Sequence, residues 1–332
     1  MNRFYRGNWL FYLTVSCVLM FTSCEQTTEP EFFISDQTRE ESLPDDAVKM
    51  TPADDVFQPV LHSALWDEPG PMAGPINTAG AEDAPVISPD GQTFIFFFTP
   101  DIDVLPEDQL LDGITGIWWC QKNGGEWTEP ERMVLNNDIS LDGPFCLVGD
   151  VLWFGSFREE MYLADGDIFT AEYNGVSWTN WENAGQQLNY EYNIGENWIS
   201  ANGMQMYFHR PGAYGGFGGE DLWIIEKSPD GWTEPVNLGE DLNTALNESR
   251  PCLSADETEL WYTSESGLGY TGPALYRVTK LQSGAWSAPE EIISNFAGDP
   301  GLTAAGDIYF THHFVDALGT IIEADIYVAY KK

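Results

Sequence analysis

Basic residues are scarce in this chain: 14 Lys and Arg stand against 53 Asp and Glu in 332 residues, for a formal net charge of −39. Such an imbalance repels polyanions, which excludes nucleic acid as a partner and makes anionic headgroups poor ones. Cysteine is also sparse. Of five, Cys17 and Cys24 lie near the N-terminus, which leaves Cys120, Cys146 and Cys252 on strand-like runs, where small buried hydrophobes are the expected role. No disulfide framework follows. The chain has no Cys and His spacing for zinc, no EF-hand loop and no phosphate-binding glycine loop, so neither metal nor cofactor is expected. It also lacks any convincing helical period and any apolar run long enough for a comfortable membrane span.

The longest apolar run, Trp9 to Thr22, follows Arg3 and Arg6 and ends at Phe21-Thr-Ser-Cys24. This resembles the signal and lipobox of a bacterial lipoprotein, with Phe21 in place of the usual aliphatic residue. The resemblance implies removal of residues 1–23 and lipidation of Cys24. Residues 24–56 are rich in acid, carry only Arg39 and Lys49 as bases and include Pro30, Pro44 and Pro52. They read as a disordered tether with a reach on the order of 30 Å.

What the sequence has in abundance is repetition. A tryptophan word recurs at Trp66-Asp-Glu-Pro69, Trp127-Thr-Glu-Pro130, Trp178-Thr-Asn-Trp181, Trp232-Thr-Glu-Pro235 and Trp286-Ser-Ala-Pro289, with separations of 61, 51, 54 and 54 residues. An asparagine marker keeps step at Asn77, Asn136, Asn189, Asn243 and Asn295. After each marker come short aromatic and β-branched runs separated by turns, as in Val86-Ile-Ser-Pro-Asp-Gly91 before Phe94-Ile-Phe-Phe-Phe98. Four short antiparallel strands per repeat describe a propeller blade. The expected fold is therefore all-β, a single five-bladed β-propeller over residues 57–332. Its last blade lacks an outermost strand, while an unmatched tryptophan word, Trp66 to Ile76, precedes the first. The N-terminal strand is thus expected to pair with the C-terminal blade and close the ring, with the periodic tryptophans packed between blades.

Gly215-Gly-Phe-Gly-Gly-Glu-Asp-Leu-Trp223, Gly231-Trp-Thr-Glu-Pro-Val-Asn-Leu-Gly239, Leu242-Asn-Thr244, Asn247-Glu-Ser-Arg-Pro251 and Leu253-Ser-Ala-Asp256 resemble the WD-like repeats of TolB-type propellers. Similar repeats occur in cell-envelope proteins with OmpA-type domains, notably in Bacteroidetes-like bacteria. The resemblance implies an outer-membrane lipoprotein, facing the periplasm or the cell surface, that works as a binding module for a protein or glycan. A monomeric propeller touching the membrane through its lipid anchor alone is expected.

Aligning the repeats puts Asp83, Asp142, Glu196, Arg250 and Asp299 at one mouth of the central channel. Crowded carboxyls can divide acid and base roles. Five-bladed glycoside hydrolases of the arabinanase and fructosidase type resemble this arrangement, which makes Asp83, Asp142 and Glu196 candidate catalytic acids of an alternative, sugar-cleaving reading. Arg250, Asp299, Trp198 and Tyr214 are candidate ligand contacts, with Tyr192 nearby. The local words of those hydrolases are not reproduced, since Asn-Trp follows Glu196 where Gly-Pro is usual. His209, His312 and His313 read as polar loop residues after second strands, and Gly215 to Gly219 as a flexible loop.

Overall fold

The computed structural model describes residues 35–332 except 110–111, 136–139, 159–161, 163–165 and 180. Cys24, the segment around it and Asn136 lie outside the described residues. Two short strands come first, β1 (Val60–Leu61) and β2 (Gly70–Pro71). Five antiparallel units follow. Unit one holds β3 (Ala81–Ile87), β4 (Thr93–Thr99), β5 (Gly116–Asn123), β6 (Glu126–Trp127) and β7 (Glu131–Arg132). Unit two holds β8 (Asp142–Val148), β9 (Val151–Ser156), β10 (Asp167–Glu172) and β11 (Glu182–Asn183). Unit three holds β12 (Asn197–Ile199), β13 (Gln205–Pro211), β14 (Glu220–Ser228), β15 (Gly231–Trp232) and β16 (Val236–Asn237). Unit four holds β17 (Ser249–Leu253), β18 (Glu259–Glu265), β19 (Pro273–Thr279) and β20 (Glu290–Ser294). Unit five holds β21 (Ala297–Leu302), β22 (Ile308–Val315) and β23 (Ile321–Ala329).

The fold is all-β and of the propeller kind. Units five and one share a sheet through a single parallel pair, Ala324 opposite Ala81. The missing fourth strand of unit five comes from the N-terminal side, where β2 pairs with β23 and Trp66 bridges to Lys331. The sequence did not foretell β1, which adds a further strand outside β20.

The middle strand of unit one is apolar through its centre because it is covered from both sides: Phe94 to Phe98 are all buried. Each such aromatic contributes roughly 1.5–3 kcal/mol by leaving water. The apolar side chains gather into five clusters, and each tryptophan word sends its first Trp into a different one. Trp66, Trp127, Trp178, Trp232 and Trp286 thereby pack between neighbouring units.

The asparagine marker also has a physical task. Asn77, Asn189 and Asn243 each accept the backbone N–H and donate to the C=O of one residue, Ile326, Ile168 and Leu222 respectively, on the third strand of the preceding unit. A side-chain amide replaces a missing ladder partner there. Asn295 departs from this pattern and donates to the Gln58 carbonyl.

Residues 35–56 correct the expectation of a disordered tether over 24–56. They form a strap across units one and five. Arg39 is buried, pairs with Glu82 at 2.9 Å, donates to the Ile76 carbonyl and lies against the rings of Phe96, Phe98 and Trp118. Lys49 binds Glu323 and Asp325, and Asp55 meets His312 at 3.0 Å. Overall acidity hid these contacts, since the segment's two bases are the groups that dock. Among the described residues no helix is long and apolar enough to cross a membrane.

Candidate functional site

Strand direction fixes where a site can form. Ala81 stands opposite Thr99, and Phe98 opposite Gly116, so the start of the first strand, the end of the second and the start of the third share one end of the unit. That end carries the candidate carboxylates.

The five aligned residues do not occupy one level. Asp142 stands opposite Ser156, one step before Gly143, whereas Asp83 lies opposite Phe97. Arg250 and Asp299 sit one residue further on, in bulges between Ser249 and Cys252 and between Gly298 and Gly301. Because side chains alternate across a strand, a shift of one position changes the direction they face. Ala84, Arg250 and Asp299 take positive φ angles of 50°, 56° and 56°, each followed by proline. Left-handed backbone at non-glycine residues costs of order 1–3 kcal/mol each and aims the side chain out of the ladder.

Glu196 and Asp299 converge on Arg250, which meets Glu196 at 2.9 Å and also contacts Asp299. With Ala84, Pro144 and Trp198 they line a cavity of about 30 Å³. That space accommodates roughly two waters. Burial raises the Glu196 carboxyl above its ordinary range, with Arg250 opposing and Asp83 reinforcing the shift.

Asp83 accepts hydrogen bonds from the Thr311 hydroxyl and the Ala84 amide, both at 2.7 Å. Asp142 does not line the cavity. It is buried in a pair with Arg158 at 2.6 Å and accepts from the Ser156 hydroxyl. Trp198 is half-buried at the cavity wall. Tyr214 does not line the cavity; it lies in the loop between β13 and β14, where its hydroxyl accepts from Asn193 at 3.0 Å and its ring covers Arg210. Tyr192 is buried, with its hydroxyl on the Trp232 carbonyl.

The histidines are not loop residues, contrary to the sequence reading. His209 lies in β13, and His312 and His313 lie in β22. His209 accepts the Arg250 amide at Nδ1 and places Nε2 3.8 Å from Glu220. Burial depresses His209 to about 3 and His313 to about 4, so both are neutral at neutral pH. It raises Glu220 to about 7. The strand assignment of Glu220 was legible in Gly219-Glu-Asp-Leu-Trp223, but its approach to His209 follows from the register of β14 against β13, which sets Leu222 opposite His209.

No protein-family model matches the sequence, and no curated protein matches it. Among solved structures, the chain is similar to TolB from Acinetobacter baumannii, at 18% identity and a TM-score of 0.38, over 66% of this chain and 45% of that one. It thus spans under half of that TolB. It is also similar to a thermostable family-43 glycoside hydrolase, at 12% identity and a TM-score of 0.46, over 78% of this chain and 91% of that one. An endo-arabinase from Bacteroides thetaiotaomicron matches at 10% identity and a TM-score of 0.45, over 75% and 94%.

Proposed function

We propose that this chain is a lipid-anchored cell-envelope protein whose five units close into a five-bladed propeller, and that the propeller binds a protein or glycan partner through its mouth. Support for closure comes from the inner strands, since β3 packs on β8, β8 on β12, β12 on β17, β17 on β21 and β21 on β3. Anchoring through Cys24 rests on the lipobox-like sequence.

The observation that carries binding over sugar cleavage is the state of the candidate acids. A glycosidase needs two carboxyls flanking a sugar, roughly 5–10 Å apart. Here Asp142 is paired with Arg158 away from the cavity, Glu196 is tied to Arg250, and the cavity of about 30 Å³ is small for a sugar ring. Binding at loop ends on a rigid scaffold asks for none of this acid and base chemistry.

The test is a glycan array and an affinity capture with the full chain, alongside hydrolysis assays on plant and marine polysaccharides. Retention of a partner without cleavage is expected. Cleavage abolished separately by Asp83→Ala, Asp142→Ala and Glu196→Ala in folded protein would instead establish the hydrolase. Metabolic lipid labelling checks the anchor, and Cys24→Ala is expected to remove both label and membrane association.

A further inference from the structure

The mouth end carries a feature outside the repeat motif. Each loop joining a second to a third strand presents at least one large apolar side chain to solvent: Leu105, Tyr162, Phe217, Leu268 and Leu318, exposed by 47% to 86%, with Tyr214 and Tyr270 as second ones in their loops. All five loops leave from the ends of second strands, so the five tips share the face that holds the mouth. Single exposed hydrophobics are ordinary, but at least one in every unit on a common face forms a set.

Free basic side chains are segregated on the same axis, while acid is exposed on both faces, with Asp90, Asp150, Glu172, Asp230 and Asp256 at the far turns. Among the described residues, each Arg and Lys at the mouth end is already engaged. Arg39, Arg158 and Arg250 are in ion pairs, and Lys49 is held by Glu323 and Asp325. Arg132 donates to backbone carbonyls, and Arg210 lies against Tyr214 and Trp223. Lys122, Lys227, Lys280, Lys331 and Lys332 stand at the far ends of the third strands, on the opposite face. The mouth end keeps its surplus of acid, including Asp101, Asp103, Asp112, Glu240, Asp241 and Asp316. At its centre Asp299 is only 7% exposed, and its Oδ2 has no hydrogen-bond partner among the described residues. A buried carboxylate oxygen without a donor is costly, and an incoming N–H or ammonium group would relieve it.

We propose that the mouth face docks a basic segment of a partner protein, with its cationic side chains directed at the acidic mouth and its apolar side chains against the ring of tips. This rests on the binding-module reading and narrows it. A neutral glycan would leave the surplus carboxylates uncompensated, and an anionic glycan or lipid headgroup would be repelled. A polypeptide alternating cationic and apolar side chains satisfies both halves of the surface.

The experiment titrates the full chain with a ten-residue peptide of alternating Lys and Leu, and with its Glu and Leu counterpart, by calorimetry at about 0.15 M salt, where screening acts within roughly 8 Å. The Lys peptide is expected to bind and the Glu peptide not. The combined Phe217→Ser, Leu268→Ser and Leu318→Ser variant should weaken binding at least about tenfold, since contact residues at a docking centre carry most of the affinity. Its unfolding transition should be unchanged because the tips are exposed, and Asp299→Asn should weaken binding independently of them. Equal affinity of the tip variant and the parent would overturn the proposal, because capture would then reflect bulk charge. Glycan binding lost in the tip variant, without Lys-peptide binding, would overturn the partner chemistry and keep the binding module. Binding of neither probe class would overturn both.

Discussion

The two faces of the propeller are built by different rules. On the face away from the mouth, the repeat controls almost everything. Lys122, Lys227, Lys280 and Lys331 each lie over the tryptophan of a repeat word, Trp127, Trp232, Trp286 and Trp66, at 4.7, 5.4, 5.7 and 3.8 Å from the ring centre. Unit two substitutes Tyr173 against Trp178. The turns repeat as well: Ser88 with Asp90, Ser200 with Asn202 and Ser254 with Asp256 close the same side-chain bridge. At the mouth the units diverge. Glu82 and Glu248 occupy matching positions and each binds the threonine four residues before it, but only Glu82 gains an arginine, delivered by the strap. Periodic chemistry builds the frame, and the residues that break the period sit where a partner could reach them.

That contrast can be broken first at the strap. Arg39→Ala leaves Glu82 buried without its counter-ion, for an expected loss of about 3–5 kcal/mol in a urea unfolding experiment. A loss below about 1 kcal/mol would mean that the strap rests on the mouth face without holding it.

Next comes Glu220→Gln, read through pH. Burial raises the folded-state pKa of Glu220 from 4.5 to about 7. The stability gained from its neutral form is therefore fully present below about 4.5 and is lost as pH rises through about 7. Relative to the parent, the glutamine variant should gain of order 2 kcal/mol between pH 4.5 and pH 8. Chemical denaturation at both values checks this, and a pH-independent difference would show that Glu220 does not titrate as a buried group.

The smallest effect belongs to the lysine face. Lys331→Ala removes one cation from above Trp66 and should cost roughly 0.5–1 kcal/mol. A loss comparable to that of Arg39→Ala would erase the distinction between the faces.

The legibility of the sequence follows the same division. The tryptophan word and the asparagine marker fixed the units, their phase and the pairing of β2 with β23, because each is a local pattern repeated often enough to stand out. The level of Asp142 was misjudged because a one-residue bulge in neighbouring units is invisible in spacing. The strap was missed because composition averages over a segment, whereas Arg39 and Lys49 act singly. Asp55 beside His312 joins residues far apart in the chain, and His209 beside Glu220 depends on the register of β13 against β14; neither pair bears a motif.

The most direct measurement is a hydrogen-exchange footprint of the Lys and Leu peptide on the full chain. The prediction is protection confined to the loops around Leu105, Phe217, Leu268 and Leu318 and to the strand starts at Glu196, Arg250 and Asp299. Protection spread over the surface, or centred on the turns beside Lys122, Lys227 and Lys280, would contradict the account.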